Sequence, residues 1–245
     1  MYYLKLGLSD YEKCRELQNK LVKEKFTDIL ILVEHPPVIT LGHRGKRDNI
    51  LISEAELKNR KIPVLSVERG GDVTYHCYGQ LVVYPIINLC EYKLKVKEFI
   101  EKLEEVIILT LEFYSIKGTR NPLNHGVWIG QDKIASIGIG IRKWITFHGF
   151  TLNINTDLSG FNMIRACGLY NAGVTSMKKI MDREFSLSEV SGIIIDNFSK
   201  VFNVGLEEIV YEDLHQRIDY CEITKTKAPM AQDQTSLRGK LQKTY

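Results

Sequence analysis

The stretch Pro63-Val-Leu-Ser-Val-Glu-Arg-Gly-Gly-Asp-Val-Thr-Tyr-His-Cys-Tyr-Gly-Gln-Leu-Val-Val-Tyr-Pro-Ile-Ile87 decides the kind of fold this chain adopts. Pro63 to Glu68 reads as a strand, Arg69-Gly70-Gly71 breaks it, and Gln80 to Ile87 is the next strand. Upstream, Asp28 to Glu34 is a mostly apolar run of strand length, ended by His35-Pro36-Pro37, which cannot continue a ladder. Val38 to Leu41 resumes extended, and Gly42-His-Arg-Gly-Lys-Arg47 follows as a basic loop. Strands and helices therefore mix without a strict β-α-β rhythm, which favours an α+β fold over a doubly wound sheet.

Helices are marked by their starts. Ser9-Asp-Tyr-Glu12 and Ser53-Glu-Ala-Glu56 read as capping boxes, the first opening a helix to about Lys25 with Cys14, Leu17 and Leu21 on one face. Lys93 to about Tyr114 carries a long helical pattern. Ser186-Leu-Ser-Glu189 caps another helix to about Val201, with Val190, Ile193, Ile194 and Phe198 inward. Val127 to Ile137 looks like a hairpin turning at Gly130-Gln131-Asp132, and Ile145 to Asn155 continues extended. The expected partition is one catalytic domain over 1–221 and a polar, basic tail over 222–245.

The 245 residues are 44% hydrophobic and 26% charged, the balance of a soluble globular protein. The net charge of +3 is carried entirely by the tail, so residues 1–221 sum to zero and nothing points to nucleic acid. Apolar runs such as Ile29 to Val33 fall far short of the roughly 20 residues that cross a bilayer. The opening Met1-Tyr-Tyr-Leu-Lys5 lacks a secretory signal, so no membrane role and a cytoplasmic location are expected. Five cysteines without Cys-x-x-Cys, and no His-Glu-x-x-His, argue against a disulfide framework and a zinc site. Gly138-Ile-Gly140 is not a dinucleotide fingerprint, because Lys143 stands at the third glycine position. No phosphate loop of the Walker type is present.

Arg69 to His76 pairs two glycines that let backbone approach a ligand with several polar side chains; a plain glycine turn fits the same residues. Cys167, in Arg165-Ala-Cys-Gly168, reads as either a loop thiol or a small buried hydrophobe. Lys133 after the hairpin turn reads most simply as solvated, and His148 as a hydrogen-bonded structural histidine.

Their combination says more. Val33-Glu-His-Pro-Pro-Val-Ile-Thr40, Arg69 to His76 with Gly79-Gln80 and Tyr84-Pro85, Gly126-Val127 to Lys133-Ile-Ala-Ser136, Thr146-Phe-His-Gly149 with Leu152-Asn153, Ala166-Cys-Gly168 and Val174-Thr-Ser176 occur in one order. This series resembles the octanoyl-[acyl-carrier-protein]:protein N-octanoyltransferases of lipoate biosynthesis, the LipB family, from about residue 28 to residue 200. The resemblance implies the catalytic fold of lipoate and biotin protein ligases, a mixed β-sheet with flanking helices. It implies that Cys167 carries the acyl group as a thioester, and that Lys133 lowers its pKa and acts as acid and base. The family's substrate-binding segments fall on Arg69, Gly70, Gly71, Asp72, Val73, Thr74, Tyr75 and His76, on Ser136, Ile137 and Gly138, and on Gly149, Phe150 and Thr151. The partners so implied are acyl carrier protein, as octanoyl donor, and lipoyl domains of 2-oxoacid dehydrogenase acyltransferase subunits and the glycine cleavage H protein. No ATP, metal or other cofactor is expected.

Two departures stand out. His76-Cys77-Tyr78-Gly79-Gln80 replaces the family's usual His-Gly-Pro-Gly-Gln and places a second cysteine near the expected pocket, and Ala166 stands where proline is frequent. Two other readings remain: an ATP-dependent lipoate or biotin protein ligase on the same fold, and a non-catalytic module that recognises acyl carrier protein or lipoyl domains.

Overall fold

Alternating apolar residues build the centre of the molecule. The computed structural model describes residues 1–26, 28–122, 124–165 and 173–218; Cys167 and the tail 222–245 lie outside them. In chain order the elements are β1 (Tyr2–Leu8), α1 (Tyr11–Glu24), β2 (Ile29–Glu34), β3 (Val38–Leu41), α2 (Glu54–Asn59), β4 (Val64–Ser66), β5 (Val73–His76), β6 (Gln80–Ile86) and α3 (Val96–Phe113). There follow β7 (Thr119–Arg120), β8 (Gly126–Ile129), β9 (Asp132–Arg142), β10 (Ile145–Asn153), β11 (Gly173–Val174), α4 (Met177–Met181), α5 (Leu187–Phe202) and β12 (Glu207–Glu208). Residues 211–218 are helical.

Among the described residues, nine strands form one mixed sheet in the order β12-β1-β2-β6-β10-β9-β8-β7, with β11 beside β9. A second sheet has the order β4-β3-β5. Side chains alternate along each central strand, and the two faces of the large sheet bury different sets. Leu30 and Leu32 of β2, Leu81 and Val83 of β6, and Phe150 and Leu152 of β10 pack with α3 and α5. Ile29, Ile31, Val33, Val82, Tyr84 and Ile86 pack instead with α1 and with Leu214 and Ile218. Helices thus flank both faces of a mixed sheet, as the α+β reading requires. Among the described residues no helix is long and apolar enough to cross a membrane.

The caps at Ser53 and Ser186 form as the sequence suggests, accepting from the backbone N–H of Glu56 and Glu189. The first helix starts one residue later than its motif implies. Asp10, not Ser9, is the cap, its carboxylate accepting from the N–H groups of Glu12 and Lys13 at 2.9 and 3.1 Å. A carboxylate at this position also meets the positive end of the helix dipole. The hairpin after Trp128 turns at Gly130, with φ +59°, but β9 runs on past Ile137 to Arg142. It then reverses through Lys143 and Trp144, both in left-handed conformation (φ +49° and +66°). Two-residue hairpin turns commonly use Asn-Gly or Asp-Gly there, and their absence hides this turn in the sequence.

Candidate active site

A cavity of 560 Å³ lies between the two sheets. Val73, Thr74 and His76 of β5 line it on one side; Val82 and Tyr84 of β6, Ser136 to Ile139 of β9, and His148 to Thr151 of β10 line it on the other. The Arg69-Gly70-Gly71 loop closes over β9. The Gly70 N–H donates to the Ile139 carbonyl at 2.8 Å, and the N–H groups of His43 and Arg44 donate to the carbonyls of Arg69 and Gly71 at 3.0 Å. Gly71 holds φ +90°, a conformation that L side chains resist, so the second glycine is required by the turn itself. The Arg69 guanidinium is buried and donates to the Thr40 carbonyl at 2.8 Å and to the Thr40 hydroxyl at 2.9 Å.

Lys133, read from sequence as a solvated side chain, is buried at 7% exposure and lines this cavity. Three neighbours cradle it. Its Nζ donates to Asn124 Oδ1 and lies 5.3 Å from the centre of the Trp128 ring. Gly126 passes so close that a Cβ there would sit 2.6 Å from Lys133 Cε. Gly126 is held in turn by α3: the buried Glu104 carboxylate accepts from the Gly126 N–H at 3.0 Å and lies 3.4 Å from the Arg120 guanidinium. The backbone of Lys133 is fixed as well, for Val174 of β11 pairs with it and the Thr175 N–H donates to its carbonyl at 3.0 Å.

The inner part of the cavity meets a wall of rings. Tyr11 packs against His35 and His76 at centroid distances of 5.0 and 5.4 Å, His35 against Tyr84 at 6.0 Å, and Tyr84 against His148 at 6.3 Å. Burial pushes the His35 imidazole down to about 4, that of His148 to about 3, and that of His76 well below its ordinary value. All three are neutral at physiological pH. An unfolded histidine takes a proton near pH 6.5, so these residues add stability above that pH and lose it as acid reaches the unfolded chain first. Urea unfolding should therefore show a stability loss of several kcal/mol between pH 7.5 and pH 5.5. Equal stability at the two pH values would mean that the imidazoles are charged in the fold.

Of the residues singled out in the sequence, Arg69 to Thr74, His76, Lys133, Ser136 to Gly138 and Gly149 to Thr151 converge on this one cavity. Tyr75 does not: its ring lies on the face of β5 opposite Thr74 and His76, in the same core as the Val73 side chain. Its ring packs with Phe161 at 5.7 Å in a small separate core with Ile39, Leu41 and Met163. Cys77 belongs to that core too; it is buried, burial pushes its thiol up to about 12, and it does not line the cavity. His148 differs from its structural reading: its backbone N–H donates to Gln18 Oε1 at 2.7 Å, but its ring nitrogens have no hydrogen-bond partner among the described residues. Cys167 lies outside the described residues. The sequence reading missed Tyr11, Tyr84 and Asn124 as cavity residues. Tyr84 stood in the quoted Tyr84-Pro85, and Asn124 lies two positions before the quoted Gly126-Val127 motif.

A helix-flanked mixed sheet with a small second sheet is the fold this chain shares with lipoate-protein ligases. The crystal structure of lipoate-protein ligase A bound with ATP superposes with a TM-score of 0.73 at 16% identity, covering 92% of this chain and 94% of that one. A bi-partite lipoate protein ligase from Thermoplasma acidophilum superposes with a TM-score of 0.70, also at 16% identity, covering 92% of each chain. Identities this low establish the fold alone. The model of the lipoyl protein ligase A/B catalytic domain matches residues 10–199, and the chain belongs to that family. Curated relatives in the family include the octanoyltransferase of Thermoanaerobacter sp. (strain X514), 48% identical over 86% of this chain and 94% of its own length. That of Desulforamulus reducens is 41% identical over 88% of this chain and 97% of its own. The chain is an acyltransferase.

Proposed function

We propose that this chain transfers an octanoyl group from acyl carrier protein to a lysine of a lipoyl domain, through an acyl-thioester on Cys167. The observation that carries the reading is Lys133, a buried amine on a partly apolar cavity, fixed by the same segment that follows Cys167 in the chain. The residues before Cys167 are also tied to the cavity. The Arg165 N–H donates to the Asn49 carbonyl at 2.7 Å, and the Asn49 amide donates at 2.6 Å to Asp72, a cavity residue.

In this mechanism the Lys133 ammonium favours the Cys167 thiolate, which attacks the octanoyl thioester. A new carbon–sulfur bond forms to Cys167, the bond to the carrier's phosphopantetheine sulfur breaks, and Lys133 supplies the proton that the departing thiolate takes. The incoming lysine amine, with an ordinary pKa of about 10.4, then gives its proton to the neutral Lys133 as it attacks the acyl-enzyme. An amide forms and the Cys167 thiolate leaves. Replacing a thioester by an amide is downhill, so the reading calls for no ATP, metal or other cofactor. Val82 and Ile137 supply apolar lining for the chain, at about 0.8 kcal/mol per buried methylene. Arg44 at the cavity, with the exposed Arg142 and Lys143 on the β9–β10 turn, would attract acidic carrier and lipoyl domains.

The test is intact-mass measurement after incubation with octanoyl-acyl carrier protein in the absence of ATP. An octanoyl adduct is expected on the native chain and none on Cys167→Ala. An absolute need for ATP would point to a ligase, and absence of both adduct and transfer to a non-catalytic binding module.

A further inference from the structure

Each acyl transfer to a lysine sheds two protons from the acceptor. A lysine side chain with a pKa of about 10.4 arrives as an ammonium at neutral pH, and the amide nitrogen keeps one hydrogen of the three. Lys133, neutral after acylation, has room for one of the two protons. The other needs a second base, and water is a far weaker base than a side chain that titrates near neutrality.

Most titratable groups on the cavity are unsuited to this. His76 and His148 are buried, and burial holds both imidazoles far below their ordinary range. Burial pushes the Tyr11 and Tyr84 phenols up, so both already carry their protons. The Asp72 carboxylate accepts from the Asn49 amide at 2.6 Å, from the Val73 N–H at 2.7 Å and from the Lys46 N–H at 3.2 Å. Arginines do not deprotonate. Among the described residues of the cavity, His125 remains.

Its place suits the task. His125 lines the cavity, yet its side chain is 55% exposed, so a proton taken up there can pass on to water. Both of its chain neighbours touch Lys133: Asn124 Oδ1 accepts from Nζ, and a Cβ on Gly126 would lie 2.6 Å from Cε. Behind the ring stands Glu104 of α3, with Oε1 3.6 Å from His125 Nδ1 and accepting from the Gly126 N–H at 3.0 Å. Its Oε2 lies 3.4 Å from Arg120 Nε, so the buried carboxylate is fixed from both sides. A fixed carboxylate behind a solvent-accessible imidazole is the base-and-orienter arrangement of proton-transfer catalysis.

We propose that His125 is a second general base, which takes the first proton from the incoming lysine ammonium and delivers it to solvent, with Glu104 as its positioning residue. An N–H bond of the ammonium breaks, the proton goes to the His125 ring, and the neutral amine attacks the acyl-enzyme. The carbon–nitrogen bond forms, the carbon–sulfur bond to Cys167 breaks, and the second proton goes to Lys133. The imidazolium then gives its proton to water, so one proton is released for each octanoyl group passed on. This role rests on the octanoyl-transfer reading.

The two half-reactions are measured separately on the full-length enzyme. Acylation by octanoyl-acyl carrier protein releases no net proton, so His125→Gln should form the octanoyl-enzyme at the native rate. Transfer from preformed octanoyl-enzyme to a saturating lipoyl domain, followed in a single turnover, should be slowed about 100-fold or more. In His125→Ala, added imidazole should raise that single-turnover rate at least about tenfold, with no such response in the native enzyme. An unaltered transfer rate in His125→Gln, equal slowing of both half-reactions, or no response of His125→Ala to imidazole overturns the assignment. A native chain that forms no octanoyl-enzyme would defeat the octanoyl-transfer reading itself, and this role with it; a native acyl-enzyme with an unaffected His125→Gln would defeat this role alone.

Discussion

Replacing Lys133 by methionine is expected to lower octanoyl transfer at pH 7 by about a hundredfold or more while the protein stays folded. A thiol with the usual pKa of about 8.5 is only about 3% thiolate at pH 7, so losing a neighbouring ammonium costs at most about thirtyfold in nucleophile. Losing a positioned proton acceptor for the attacking amine slows the second half-reaction by about 100-fold or more, and that slower step sets the overall rate. Methionine matches the length of lysine and can fill the space beside Trp128 and Gly126, so the defect should be chemical. Two readouts separate it from misfolding. Acylation by the variant should rise about tenfold per pH unit up to the ordinary thiol range. Lys133→Arg should still form the acyl-enzyme, because it keeps a positive charge, yet fail to pass the acyl group on, because arginine does not deprotonate. Unaltered transfer by Lys133→Met would remove this residue from the mechanism.

Gly149→Ala should be among the most damaging single-methyl changes in the sheet. A Cβ at this position would lie 2.1 Å from the Val83 carbonyl oxygen and 2.7 Å from Pro85 Cδ. The strand is bonded on both sides, to β6 and to β9, so neither neighbour can retreat without breaking a ladder. Overpacking of this kind costs about 3 kcal/mol or more, which for a chain of this size lowers Tm by about 6–12 °C. Gly192→Ala in α5 is the internal control. Nothing lies within 4 Å of its added methyl, and removing helix-interior glycine should stabilise by about 0.5–1 kcal/mol. A Gly149→Ala variant that melts with the native protein would show that β6 and β10 are further apart than described.

Much of the framework could be read in one dimension. Ser53 and Ser186 announced their helices because a capping side chain and its target N–H are close neighbours in sequence. The Gly130 turn was visible for the same reason. The β9–β10 turn was not, because Lys143 and Trp144 hold left-handed conformations that neither residue favours. The strand Tyr2–Leu8 also escaped notice; it is half-exposed at the margin, and its place beside β2 depends on a segment more than twenty residues away. Asp10 displaced Ser9 as cap because both can accept, and only the path of the chain into α1 chooses between them.

The candidate site divides along the same line. Residue order and type alone marked Arg69 to His76, Lys133, Ser136 to Gly138 and Gly149 to Thr151, and with them the family. Such motifs are contiguous, and each carries its local chemistry wherever the chain places it. Burial is different: whether Lys133 is solvated or enclosed, whether Tyr75 or Thr74 faces the cavity, and whether His148 finds partners are properties of packed strands. Asn124 gains its meaning from Lys133 across a hairpin, and His76 its tautomer from a relay through Gln80, Asn153 and Thr175. The sequence thus determined which groups are present and what kind of domain they form. Tertiary structure decided which of them are desolvated, and in which protonation state, because both depend on neighbours far apart along the chain.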